Sequence, residues 1–294
     1  MKKYLQIEYM KIKGNSSFKV FTLLFLILMP IIVIVLPSYF KDGLFGMVTE
    51  GSYPFMPRSA SSTWYYTTYI ASWFSFYLLS FIIVFHITNE YAAKTVRQNI
   101  IDGYSKLDYL KSKIGMVIFM ATTATFYVFL IGLIAVLYFQ SNQPDPSTQL
   151  PSLMSMMSGG MDVGQSSVTD FGSMFDGILF VLGYYIQVLA YFIVAVLVSV
   201  LVRKGALAVL LFFGAFFINM ILSSVLSMQG FESSLEYLPF NSFSALLPNF
   251  EMQFLIFGLG EMETLSITST IISVVYIVLF IFLTKLIFYK RDVV

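Results

Sequence analysis

The sequence has no cysteine, which excludes disulfide frameworks, thiolate metal sites and cysteine nucleophiles together. It has one histidine, His86, and no GxxxxGK[ST] phosphate loop, so it lacks both a His, Ser and Asp grouping for catalysis and the usual cradle for ATP. No catalytic residue is therefore assigned. Charge is scarce as well, at 11% of 294 residues, whereas 58% are hydrophobic and the mean hydropathy is +0.82. That balance is far from a soluble globular domain and calls for lipid as solvent. The expected fold is an all-α integral membrane protein forming a single transmembrane domain over 1–294, with no stretch left for a separate soluble core.

A bilayer core of about 30 Å needs roughly 20 mostly apolar helical residues. Uncharged runs of that length predict spans at about 18–40, 67–88, 114–139, 177–202, 206–226 and 267–288. Pro30 falls inside the first, where a kink is tolerable because neighbouring helices can satisfy the freed carbonyl. Lys285 falls near one end of the last, where its stem can snorkel to the interface.

Cytoplasmic loops retain Lys and Arg. One side of this layout holds Lys2, Lys3, Lys11, Lys13, Lys19, Lys94, Arg97, Lys106, Lys111, Lys113, Arg203, Lys204, Lys285, Lys290 and Arg291, and the other only Lys41 and Arg58. The basic side is predicted to be cytoplasmic, with both termini on it. Trp64, Tyr65, Tyr66, Tyr69 and Trp73 read as an aromatic belt at the outer start of the second span. The N-terminal apolar run is about twice a signal h-region and lacks a small-residue cleavage site, so it is expected to be retained.

The external loops differ in character. Ser141 to Asp176 is rich in Ser, Gly, Pro, Gln and Met and reads as a loop lying on the membrane surface. Met154, Met156, Met157 and Met161 carry a weaker copper(I) alternative, because thioethers suit that soft ion. Between Phe231 and Glu263, "SALLPNFEMQFLIFG" is too short to span and is interrupted by Pro248 and Glu251. A re-entrant or interfacial helix pair is expected there, with a tucked-in loop as the alternative.

On the basic side, Met1 to Gly14 places Leu5, Tyr9 and Ile12 on one helical face, which predicts a surface-lying helix. In Asn89 to Lys113, Ala93, Val96 and Ile100 recur at helical spacing, Lys94, Gln98 and Asp102 line another face, and Gly103 stands at a C-cap position. Ser105 with Asp108 has capping-box-like spacing, which predicts a new helix running into the third span. A solvated loop helix satisfying the basic-side rule is the bland reading. His86 reads as an interface residue near the end of the second span.

The ordered run Glu90, Thr95, Arg97, Gly103, Ser105, Tyr109 and Lys113, with the "EYMK" start, "YLPFN" at Tyr237 to Asn241 and "KRD" at Lys290 to Asp292, resembles the type-two ABC exporter permeases over the whole chain. The resemblance implies an N-terminal elbow helix and a cytoplasmic coupling helix seated in a groove of a separate ATPase. Two copies of that ATPase would carry the ATP and Mg, and the permease would pair with a second copy of itself or a homologous permease in a bacterial-type plasma membrane. Nucleic acid has no place in this layout. The implied coupling residues are Glu90, Tyr91, Lys94, Thr95, Val96, Arg97, Ile100 and Gly103: Tyr91, Val96 and Ile100 for buried contact, Lys94 and Arg97 for acidic groups on the rim, Glu90 and Thr95 for fixing the helix start.

Two rival classes remain. An ion-coupled secondary transporter needs ionisable groups near the midplane, and the predicted spans contain no Asp, Glu, Lys or Arg away from their ends. Their strongest polar residues, Gln187 and Asn219, can equally bond helix to helix. The other rival is a permease-like subunit that transmits ATP-driven motion to an outer partner, for which the Met-rich loop is the natural contact.

Overall fold

The computed structural model describes residues 8, 10–38, 60–101, 103, 105–141, 171–244 and 267–290. Among the described residues every regular element is helical and none is a strand. Six helices are long and apolar enough to cross a bilayer, Ser16–Ser38, Thr63–Ala92, Lys106–Phe139, Gly177–Val202, Gly205–Met228 and Thr268–Lys290, which fits a multi-pass membrane protein. The Met-rich loop residues and "SALLPNFEMQFLIFG" beyond Ser244 lie outside the described residues, as do Leu5 and Tyr9.

The second and third spans are much longer than the apolar runs that predict them. Thirty and 34 residues at 1.5 Å each make about 45 and 51 Å, against about 30 Å of hydrocarbon. Both helices continue beyond the uncharged stretch toward the basic end of the bundle. Glu90 consequently sits on the second span helix, and Lys113 on the helix that Ser105 and Asp108 predict, which runs unbroken into the third span.

The second and fourth spans form the centre. Each has 61% of its most apolar window buried, against 17–33% for the other four. Phe76 of the second span anchors an aromatic core, its ring 4.9–5.4 Å from those of Tyr191, Phe212, Phe213 and Phe216. Such pairs contribute directional attraction beyond the area they bury. Trp64, Tyr65 and Tyr66 are buried in the bundle, which corrects their reading as a headgroup belt. Trp73, further along the same helix, is 39% exposed.

Pro30 has no N–H for the carbonyl of Leu26. Tyr127 of the third span supplies the missing donor, its hydroxyl 2.7 Å from Leu26 O. Past the proline the helix widens into a π segment, Ile31–Val35, where the Tyr66 hydroxyl donates to Ile32 O at 3.1 Å. A second π segment, Ser75–Leu79, interrupts the second span.

At the opposite end, a 3-10 turn, Glu232–Tyr237, leads into a short helix, Pro239–Ser244. This is a tucked-in cap on the described part of that loop. Phe240 and Phe243 are buried, and Asn219 Nδ2 donates to Asn241 Oδ1 at 2.7 Å while Ser273 Oγ donates to Ser242 O at 2.7 Å. Asn219 thus ties the fifth span to the cap.

Candidate functional site

At the basic end, five side chains from three separate stretches of chain meet out of contact with solvent: Glu8, His86 and Glu90, Tyr109 and Lys113. The register of each helix brings them there. His86 and Glu90 are four residues apart and share a face of the second span, as Tyr109 and Lys113 do on the third. Glu8 and Ile12 share the buried face of the N-terminal helical segment, so the face predicted to be apolar carries a carboxylate.

Lys113 is the hub. Its ammonium lies 2.5 Å from Glu8 Oε2 and 2.7 Å from Glu90 Oε2. The Tyr109 hydroxyl donates to Glu90 Oε2 at 2.8 Å, and Lys11 Nζ donates to Glu90 Oε1 at 3.2 Å and stands 3.8 Å from Glu8 Oε1. His86 Nε2 is 3.0 Å from Glu8 Oε2 and 3.2 Å from Lys113 Nζ. An ammonium has only protons to offer and a carboxylate only acceptors, so a single ring nitrogen cannot bond to both; the shorter contact assigns the Nε2 proton to Glu8. With His86 neutral, two carboxylates face two ammoniums and the cluster balances. His86, 4% exposed, is therefore a member of this cluster and not the interface residue its position suggested.

Glu8, His86 and Glu90 could also be a metal-ligand set, their ligand atoms lying within 4.8 Å of one another. The Lys113 ammonium already stands between the two carboxylates, where such an ion would bind. The charges present thus fit an internal cation, and a charged Lys113 leaves no room for a metal.

Burial pushes the Glu8 carboxyl up, but the His86 hydrogen bond and the Lys113 ammonium outweigh it and hold it down at about 2, from 4.5. A carboxylate with a depressed folded value stabilises the fold above its unfolded value and loses that contribution as pH falls through the folded one. The difference in thermal stability between wild type and Glu8→Gln in detergent should be constant above about pH 5 and shrink progressively from pH 4.5 toward 2. A difference that stayed constant down to pH 2.5 would show that Glu8 is not held ionised by these partners.

Above the cluster, the second span ends at Ala92 and the chain breaks at Lys94, whose φ is +56°. A seven-residue helix, Thr95–Ile101, follows. Thr95 Oγ1 donates to Glu90 O at 3.1 Å and fixes its start against neighbouring backbone. Gly103, at φ +98°, turns the chain in the left-handed region that glycine adopts freely. Ser105 then starts the third span, donating to Asp108 Oδ2 at 2.7 Å and accepting from Asp108 N at 3.0 Å.

The eight residues singled out in this stretch divide into two groups. Glu90 and Val96 are buried within the chain, Val96 at 1% exposure, and Tyr91, Thr95 and Ile100 are half-buried. The Arg203 guanidinium lies over the Tyr91 ring, 5.1 Å from its centroid. Lys94, Arg97 and Gly103 are exposed. Ile101, 72% exposed, is the apolar residue this helix presents outward, a position that the sequence reading passed over because Val96 and Ile100 completed the apolar spacing. Glu8 and His86 were also missed as site residues. Their signal was chemical and not periodic: an acid on an otherwise apolar helical face, and a lone histidine four residues before a glutamate.

Comparison with known protein families, curated proteins and solved structures found no match to this chain.

Proposed function

We propose that this chain is the membrane-spanning half-subunit of an ATP-driven exporter of the type-two ABC kind, moved by a separate ATPase docked on the Thr95–Ile101 helix. The observation that carries the reading is mechanical. A short helix set off by left-handed turns at Lys94 and Gly103 joins two long spans, and the ion cluster beneath it cross-links those spans to the N-terminal helical segment. Force applied to such a helix reaches the bundle through rigid elements, as a flexible loop could not. Lys94, Arg97, Gln98 and Ile101 face outward for the partner, with charged groups suited to an acidic rim and Ile101 to an apolar pocket. ATP and Mg belong to the partner in this reading, since the chain carries no phosphate loop. The apolar spans and the absence of midplane charge favour an amphiphilic or lipid-like cargo at the interface of two permease copies.

The buried cluster gives the ion-coupled reading its one support, because it contains proton-exchangeable groups. It lies within about 10 Å of the basic ends of the second and third spans and is internally neutralised, whereas coupling sites in carriers lie near the midplane. The ATP-driven reading is therefore preferred.

Co-purification from native membranes should recover an ATPase whose hydrolysis falls at least tenfold in Arg97→Glu and Gly103→Val. Glu90→Ala should act differently, by loosening the cluster and lowering thermal stability together with hydrolysis. Recovery of no ATPase would return the ion-coupled reading to first place. Hydrolysis indifferent to Arg97→Glu and Gly103→Val would move the docking surface off this helix.

A further inference from the structure

The centre of the bundle contains a polar group that none of the described residues satisfies. Gln187 lies ten residues, about 15 Å, into the fourth span from Gly177 and is 2% exposed. Its Nε2 donates to the Tyr191 hydroxyl at 2.8 Å, but its Oε1 has no hydrogen-bond partner among the described residues. Turning the amide over would give the oxygen the Tyr191 proton and orphan the NH2 instead, so either orientation leaves one atom unmet. Inside hydrocarbon no solvent relieves that loss, and buried polar groups are almost always paired with protein or with ordered water.

The surroundings are polar and neutral. Tyr184, one helical turn away from Gln187, shares a 2.5 Å hydrogen bond with Ser75 Oγ at the start of the π segment of the second span, and Ser72 hydrogen-bonds Tyr191. Phe240 and Phe243 of the outer cap bring their rings 6.2 and 6.1 Å from that of Tyr191. A π segment widens the backbone locally and recurs at functional positions. Hydroxyls and one amide, with no carboxylate or cation among them, suit a small neutral hydrogen-bond donor and not an ion.

We propose that Gln187 anchors an internal water-binding site between the second and fourth spans beside the outer cap, with the Tyr184, Ser75 and Tyr191 hydroxyls as the other available partners. A water held there completes the amide, and it can exchange partners as the two central spans shift against each other at the π segment. Nothing in this assignment depends on the ATP-driven reading.

Radiolytic hydroxyl labelling in H2 18O tests it, because a bound water generates radicals beside the side chains that hold it. The full chain in phosphatidylcholine nanodiscs should incorporate label at Tyr184 and Tyr191 at least threefold above Phe192 and Phe212, which are fully buried in the same bundle as Tyr184 is. Gln187→Leu and the closer mimic Gln187→Met should each lower that label at least threefold, with labelling of exposed Met228 unchanged as the sign of an intact fold. Label at the two tyrosines no higher than at the phenylalanines overturns the site. Label that survives in the correctly folded methionine variant also overturns it, since the water would then be held by other groups.

Discussion

Lys113→Met is expected to destabilise the protein by about 3–5 kcal/mol, because it removes the shared cation from two buried carboxylates and leaves both without their nearest counter-charge. Methionine keeps the length and apolar stem of lysine, so the packing over the Tyr109 ring, where Lys113 Nζ lies 5.1 Å from the centroid, is largely preserved and the loss is electrostatic. Lys11 can compensate only partly, being half-exposed and 3.2–3.8 Å from the outer oxygens. The triple variant Lys113→Met, Glu8→Gln, Glu90→Gln should regain most of the stability, since neutral amides need no cation. Thermal unfolding in detergent, with Lys106→Met as a half-buried control outside the cluster, measures both effects. If Lys113→Met melted within 1 kcal/mol of wild type, or the triple variant melted below it, the cluster would not be the ion lock described above.

Length and apolarity were sufficient to locate the six span-length helices found among the described residues, because lipid permits few backbone solutions and each is written as a run of uncharged residues. Taken alone, the same criterion ended the second span too early and began the third too late. Glu90 reads singly as a residue past the end of a span, yet Lys113 neutralises it inside the bundle, so the second helix has no reason to stop there, while the third starts at the Ser105 and Asp108 cap as their spacing predicts. A one-dimensional rule counts a charge as a boundary, whereas a paired charge can be interior.

The candidate site was legible in part for a related reason. Local signals survived well: Gly103 has the left-handed conformation its position implied, Ser105 and Asp108 bond as their spacing implied, and Thr95 is tied to backbone. These depend on neighbours within five residues. Glu8, His86 and Lys113 depend on partners 23 to 105 residues away, and no periodicity encodes such a meeting. Val96 shows the limit from the other direction, since its helical spacing was real but the face it marks is turned into this chain and not toward a partner.

The aromatic start of the second span leads to the other large expected effect. Trp64, 3% exposed, stacks on Phe129 of the third span with ring centroids 5.7 Å apart and lies flush against two helices that carry no side chain at the contact. A Cβ added at Gly132 would come within 2.7 Å of Trp64 Cε3, and one added at Gly177 within 2.6 Å of Cδ1. Neither helix backbone nor a clamped indole can yield by the ångström that ordinary contact requires, so even alanine must displace the ring or part the spans. Overpacking of this kind costs about 1–3 kcal/mol, and expelling the ring adds part of the roughly 3–5 kcal/mol that deleting a buried tryptophan costs. Gly132→Ala and Gly177→Ala are therefore each expected to destabilise by about 2–4 kcal/mol, and Gly177→Val by more. With only Trp64 and Trp73 in the chain, a Trp73→Phe background makes Trp64 the sole fluorescent reporter, and its emission should shift in both alanine variants. The clash is specific to the indole, so Gly177→Ala should cost almost nothing further once Trp64→Leu has been made. Unchanged melting and unchanged Trp64 emission in Gly177→Ala would mean that the indole is not wedged between the third and fourth spans; additive losses in Trp64→Leu with Gly177→Ala would place the role of that glycine elsewhere.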